Sequence, residues 1–122
     1  MDILRNALKR IIAAEVEHNI LIINLGHYYV QFVHEKGGNT IWCEAISNLC
    51  LNKEHYLDNR QKEYLIKLGW NDPDESPPNY TQKCPFLTET DVENLILLIL
   101  ETAVLVYDVE DLTEDDFEFI LE

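Results

Sequence analysis

The sequence predicts an α+β fold: an antiparallel sheet of at least three strands packed with an N-terminal helix, a middle helix and a long apolar helix near the C-terminus. Three observations carry that expectation. Residues 2 to 14 place apolar side chains three and four apart, two glycine-bearing turns separate β-forming runs between Asn19 and Ser47, and two capping-box signatures open helices in the second half.

Taken in order, Ile3, Leu4, Leu8, Ile11 and Ile12 form one inward stripe of the first helix. Asn19 to Leu25 has strand composition, and Gly26-His27 separates it from Tyr28 to His34 as a two-residue type II′ turn. That register sets Leu25, Ile23 and Leu21 opposite Tyr28, Val30 and Phe32 on a core face. Gly37-Gly38 marks a second turn into Thr40 to Ser47. With a two-residue loop, Ile41, Cys43 and Ala45 join the core face and Trp42, Glu44 and Ile46 point away. A loop one residue longer would invert the assignment. The second face then carries Ile20, Ile22, Tyr29, Gln31, Val33, Trp42, Glu44 and Ile46, a mixture too apolar for ordinary solvent exposure. These are the candidate partner-binding residues, with Tyr29 and Trp42 as anchors.

Asp58 with Gln61 three residues later opens a second helix running to Leu68. In Leu65-Ile66-Lys67-Leu68-Gly69-Trp70-Asn71-Asp72-Pro73, Gly69 can close that helix in the left-handed conformation. Trp70 is then placed to fold back on Leu65 and Tyr64, and Pro73 prevents a restart. Residues 70 to 87 hold all four prolines, including Pro77-Pro78, and read as an ordered loop tacked down by Trp70, Tyr80 and Phe86. Thr90 with Glu93 caps a third helix reaching about Tyr107. Its Leu95 to Leu100 and Ala103 to Val106 are apolar almost all round, so it must be covered on both sides and a homodimer is expected. Thr113 and Asp116 suggest a short acidic tail helix whose sticky side is Phe117, Ile120 and Leu121. Residues 1 to 122 read as one domain.

The Gly69-Trp70 segment, together with Tyr28-Tyr29-Val30-Gln31-Phe32 and Asn79-Tyr80, resembles the YbjN-like and type III secretion chaperone-like families of small peptide-binding domains, the TY-Chap domains. The likeness spans roughly residues 15 to 110. It implies a helix-backed sheet that holds extended or helical segments of a client polypeptide without a nucleotide cycle.

The charge balance of 23 acidic against 9 basic residues excludes a phosphate-binding basic face, so no nucleic acid is expected as partner. The imbalance is local: twelve Asp or Glu and no Lys or Arg lie between Thr88 and Glu122. Such a segment can solubilise the chain or attract a basic partner, and the second possibility admits an alternative function as an acidic inhibitor or immunity-type protein occupying a basic cleft. Glu101 and Thr102 interrupt the apolar helix, which falls short of a membrane span. Cys43, Cys50 and Cys84 cannot pair completely and no secretory signal precedes them, so they read as reduced thiols of a cytoplasmic protein.

Motifs for chemistry are missing. His18, His27, His34 and His55 lack metal-site spacing, and Glu15 with His18 has no second copy to complete a carboxylate-bridged site. His34 could reach Cys43 across the second hairpin, but a cysteine in an apolar strand is ordinarily a small core residue. Gly37-Gly38 opens no helix that could hold phosphate, and the acidic pairs Asp115-Asp116 and Asp72-Asp74 occupy exposed segments rather than a pocket. The reading is a non-enzymatic protein-binding module without cofactor or metal.

Overall fold

The computed structural model describes residues 2–73 and 78–122. The calls on Asp74 and Pro77 lie outside the described residues. Helix α1 (Asp2–Ala13) is followed by strands β1 (His18–Leu25), β2 (Tyr28–Glu35) and β3 (Thr40–Ala45), helix α2 (Asn59–Lys67), strand β4 (Tyr80–Pro85), helix α3 (Glu89–Glu101) and strand β5 (Phe117–Leu121). The five strands form one antiparallel sheet in the order β4-β3-β2-β1-β5.

Both hairpin registers are those the turns dictate. Leu25 pairs with Tyr28, Ile23 with Val30 and Leu21 with Phe32, and Gly26 takes φ +73° at the first turn position, as a II′ turn requires. Phe32 pairs with Cys43 and Val30 with Ala45, the register expected of a two-residue loop, but the turn centres on Lys36-Gly37: Gly38 N–H bonds the Glu35 carbonyl at 2.9 Å, Gly37 takes φ +80°, and β2 ends at Glu35 while β3 starts at Thr40. The side-chain period of two therefore puts Leu21, Ile23, Leu25, Val30, Phe32, Ile41, Cys43 and Ala45 on one face, all buried. Leu4, Leu8 and Ile11 of α1 and Val92, Leu95, Ile96 and Ile99 of α3 belong to the same core cluster. Arg5 and Lys9 of α1 pair with Glu89 of α3, and Arg5 also reaches Glu93, which fixes the two helices side by side.

Helix α2 starts at the predicted capping box, with Gln61 N–H donating to Asp58 Oδ1 at 2.8 Å and Asp58 N–H to Gln61 Oε1 at 2.8 Å. It ends in the predicted closure: Gly69 has φ +95°, its N–H bonds the Ile66 carbonyl, and Trp70 N–H bonds the Leu65 carbonyl, both at 3.0 Å. Trp70 is 2% exposed, and its indole N–H donates to Thr102 Oγ1 at 3.1 Å.

Three expectations are corrected. The proline-bearing segment is not loop throughout: β4 occupies Tyr80–Pro85 at the sheet edge, where the proline closes the strand and its missing N–H is tolerated. Tyr80 is buried and Phe86 packs edge-on against His34 at 5.3 Å, so the two aromatics do tack the segment down. Helix α3 is capped by Thr88 and Asp91, not Thr90 and Glu93, because the shorter Asp91 carboxylate accepts from both Leu87 N–H and Thr88 N–H. After Glu101 the helix widens into a π-helical segment, Thr102–Val106, which closes with Asp108 at φ +57° and Val109 N–H on the Ala103 carbonyl. Finally, the Thr113 and Asp116 box forms but opens only a single 3₁₀ turn, Glu114–Asp116. The tail continues as β5, not as a helix. Its Phe117 and Phe119 turn toward the core side while Glu118 and Ile120 face away, and pairing with β1 satisfies the outer backbone groups of that strand.

Two predictions follow from this core. Trp70→Ala removes a fully packed ring and orphans Thr102, so unfolding free energy should fall by about 3–5 kcal/mol and Tm by more than about 10 °C in a thermal melt. Tyr107 is buried, and its hydroxyl donates to the Ile46 carbonyl at 3.4 Å. Burial, reinforced by Tyr80, Tyr28 and Tyr29, pushes its phenol well above the ordinary value of 10. The unfolded chain therefore loses the proton first: the contribution is intact below about pH 10 and lost as pH rises beyond it. Denaturant titrations above pH 10 should show falling stability in the parent and a shallower fall in Tyr107→Phe.

Candidate functional site

The candidate site is the face of the sheet opposite the helices. Ile20, Ile22, Tyr29, Val33 and Trp42 are absent from the core cluster and from the apolar residues packed on it, and among the described residues no helix is seated over them. The pairing registers line these side chains up across all five strands. One row runs Ile120, Ile20, Val33, Trp42, Lys83, and the next runs Glu118, Ile22, Gln31, Glu44, Thr81. At the normal strand spacing each row is about 19 Å long. Ile20, Ile22 and Val33 are half-buried by their lateral neighbours alone, whereas Trp42 is 36% exposed and Ile120 38%.

Trp42 is held rather than free. Its indole N–H donates to Glu44 Oε1 at 3.0 Å, and Gln31 Nε2 donates to the other carboxylate oxygen at 2.8 Å. Glu44 thus fixes both the ring and the amide on the open face. Between the β2–β3 turn and β4, Val33, Glu35, Gly38, Thr40, Trp42 and Lys83 line a recess of about 320 Å³, room for one large side chain. Tyr29 is half-buried, and its hydroxyl accepts from Asn79 Nδ2 at 3.4 Å. A larger recess of about 420 Å³ lies elsewhere, between α1 and β5, where the Arg10 guanidinium covers the Phe119 ring at 4.0 Å.

Of the sequence-derived set, Ile20, Ile22, Tyr29, Gln31, Val33, Trp42 and Glu44 share this face. Ile46 does not offer itself to a partner: it lies beyond the end of β3 and is only 6% exposed, its N–H bonded to the Tyr29 carbonyl. Lys83, Glu118 and Ile120 were missed, because β4 and β5 were not read as strands; Thr81 ends the second row but is only 6% exposed. The alternation of Phe117-Glu118-Phe119-Ile120 was the available signal.

Chemistry of other kinds finds little support. His34 Nε2 contacts the Gly38 carbonyl at 2.8 Å and its strand partner is Ile41 by register, while Cys43 Sγ faces the Ile41 carbonyl and Cys84, so no Cys–His pair forms. His27 and His55 stack on each other with centroids 3.7 Å apart. No three His, Cys, Asp or Glu side chains converge as metal ligands among the described residues, and no helix among them is long and apolar enough to cross a membrane.

No curated protein and no solved structure matches the chain. A family model does, over residues 2–117, and it describes a peptide-binding chaperone class whose likeness was already visible in Gly69-Trp70 and Tyr28 to Phe32. With almost its whole length matched, the protein belongs to the TY-Chap3 family, the T3SS (YopN, CesT) and YbjN peptide-binding chaperone 3 family.

Proposed function

We propose that this chain holds a client polypeptide, without nucleotide or enzymatic turnover, on the open face of its sheet. The observation that carries the reading is the uncovered row Ile120, Ile20, Val33 and Trp42, apolar over four strands and backed by a rigid core. Tyr29 and Trp42 are its anchors, since large, pre-positioned rings concentrate binding energy. The surroundings favour a client segment in which apolar side chains alternate with basic ones: Glu35, Glu44 and Glu118 lie on this face and Lys83 is its one fully basic side chain among the described residues. The chain acts as one unit from residue 1 to 122, in the cytoplasm, whose reducing poise matches the free thiols of its resting state.

Replacing Tyr29 and Trp42 together by Ser should weaken capture of apolar–basic peptides on a synthetic array by 100-fold or more, about 1.4 kcal/mol for each factor of ten. Both side chains lie outside the core cluster, so the circular-dichroism spectrum and cooperative melting should survive. Unchanged capture would remove the face as the site. Raising salt separates this reading from the acidic-inhibitor alternative: a complex anchored by apolar rings should lose only the share its basic flanks contribute, whereas one made by carboxylates mimicking phosphates should collapse.

The homodimer belongs to the same proposal, through α3. Its Leu97 is 55% exposed and Val104, in the π-helical segment that follows, 42%, while Val92, Leu95, Ile96 and Ile99 are buried within the chain. Light scattering should give twice the chain mass, and Leu97→Glu with Val104→Glu should return it to that of one chain. A monomeric parent at high concentration would refute the dimer.

A further inference from the structure

Two thiols meet under the β3–β4 edge. Ile41 pairs with Cys84 and Cys43 with Gln82, so the two cysteines sit diagonally across neighbouring strands, and their sulfurs are 3.7 Å apart. They differ in access. Cys43 is fully buried among core residues, whereas Cys84 is half-buried and lines a recess of about 220 Å³ between β4 and α3, with Gln82, Asp91, Asn94 and Leu98 on its walls. The third cysteine, Cys50, is exposed in the segment after β3.

From this arrangement we infer that Cys84 and Cys43 form a peroxide-reactive pair, Cys84 being the thiol that is modified and Cys43 the one that resolves it into an intrachain disulfide. The recess admits a small neutral oxidant such as hydrogen peroxide to Cys84 alone. Cys43 donates a hydrogen bond to the Cys84 sulfur, which holds the Cys84 thiol below its ordinary pKa against the opposing effect of burial; Cys43 itself is pushed up by that bond and by its burial. The more acidic thiol is therefore also the accessible one.

The chemistry balances in two steps. The Cys84 thiolate attacks one peroxide oxygen, forming S–O as O–O breaks; hydroxide leaves and takes up a proton as water, Cys84 is oxidised to the sulfenic acid and the peroxide is reduced. Cys43 then attacks the Cys84 sulfur, S–S forms as S–O breaks, and the departing oxygen leaves as a second water with the Cys43 proton. A disulfide bond of about 2.05 Å requires each sulfur to move by under about 1 Å from the observed separation. The product ties the edge strand β4 to β3 on the core side, directly beneath Trp42 and Lys83, without touching the open face.

The test uses the full-length Cys50→Ser chain, which leaves the core pair intact. After brief exposure to hydrogen peroxide and removal of the oxidant, the disulfide product should be about 2 Da lighter than the reduced chain and should take up no N-ethylmaleimide in denaturant, where the reduced chain takes up two. Non-reducing peptide mapping should then recover Cys43 joined to Cys84, and dithiothreitol should reverse the link. Two further chains assign the roles. Cys43→Ala should stop at a Cys84 sulfenic acid that dimedone traps, and Cys84→Ser should leave Cys43 unoxidised. Disulfide-linked dimers, over-oxidation of Cys84 in the presence of Cys43, or two thiols still alkylated after peroxide would each overturn the pair. Oxidation of Cys43 in the Cys84→Ser chain would overturn the order of attack.

Discussion

The hydrogen bond from the Trp70 indole to Thr102 Oγ1 joins the parts of this molecule that are distant in sequence. Both residues are buried, so the indole N–H and the hydroxyl would each go unsatisfied without the other. Trp70 is placed by the glycine closure of α2, and Thr102 stands where α3 gives way to the π-helical segment. Gln61 Nε2 adds a second tie, donating to the Val106 carbonyl at 2.7 Å. The next residue, Tyr107, stacks on Tyr28 at 4.9 Å and reaches the Ile46 carbonyl. The widened turn is thus the place where α2, α3 and the β2–β3 side of the sheet are fixed against one another.

Because α1 and α3 are committed to the core face, the opposite face has only lateral cover from the described residues. A period of two then decides its chemistry: the same registers that bury Leu21, Ile23, Phe32 and Cys43 must project Ile20, Ile22, Val33 and Trp42 outward. At the centre of β1, Ile20 and Ile22 make the outward side apolar as well as the inward one, which is the composition of a strand covered on both sides, while His18 and Asn24 at its ends are exposed. A face of this kind would give the client segment proposed above a rigid, partly dehydrated floor.

Much of this was legible because the deciding residues act locally. Gly26 and the Gly37-Gly38 pair signalled two hairpin registers, Asp58 with Gln61 and Gly69 with Trp70 bracketed α2, and the heptad-like spacing of Leu4, Leu8 and Ile11 marked α1. What was not legible depends on partners far away in the chain. Tyr80–Pro85 looks like loop because prolines surround it, and becomes a strand only because β3 offers an edge. Phe117–Leu121 follows a genuine capping box, yet the unpaired outer edge of β1 outcompetes a short helix for those residues. The candidate face was therefore seen at its centre and missed at both margins, where Lys83, Glu118 and Ile120 complete it. Ile46 was misjudged for the converse reason, since alternation stops where strand pairing stops.

The margins bear on how an open apolar face avoids closing on a copy of itself. Stacking two such faces would bring Glu35, Glu44 and Glu118 of each copy toward a chain of net charge −14, and Lys83 alone could not neutralise them. Like charges brought together as water is expelled cost more than the same charges apart, so the rim penalises face-to-face pairing while leaving a segment with basic flanks acceptable. Glu44 serves this discrimination twice, as a rim charge and as the acceptor that pins Trp42. On the same argument the proposed homodimer would be directed away from the sheet and onto the exposed Leu97 of α3 and Val104 of the π-helical segment after it.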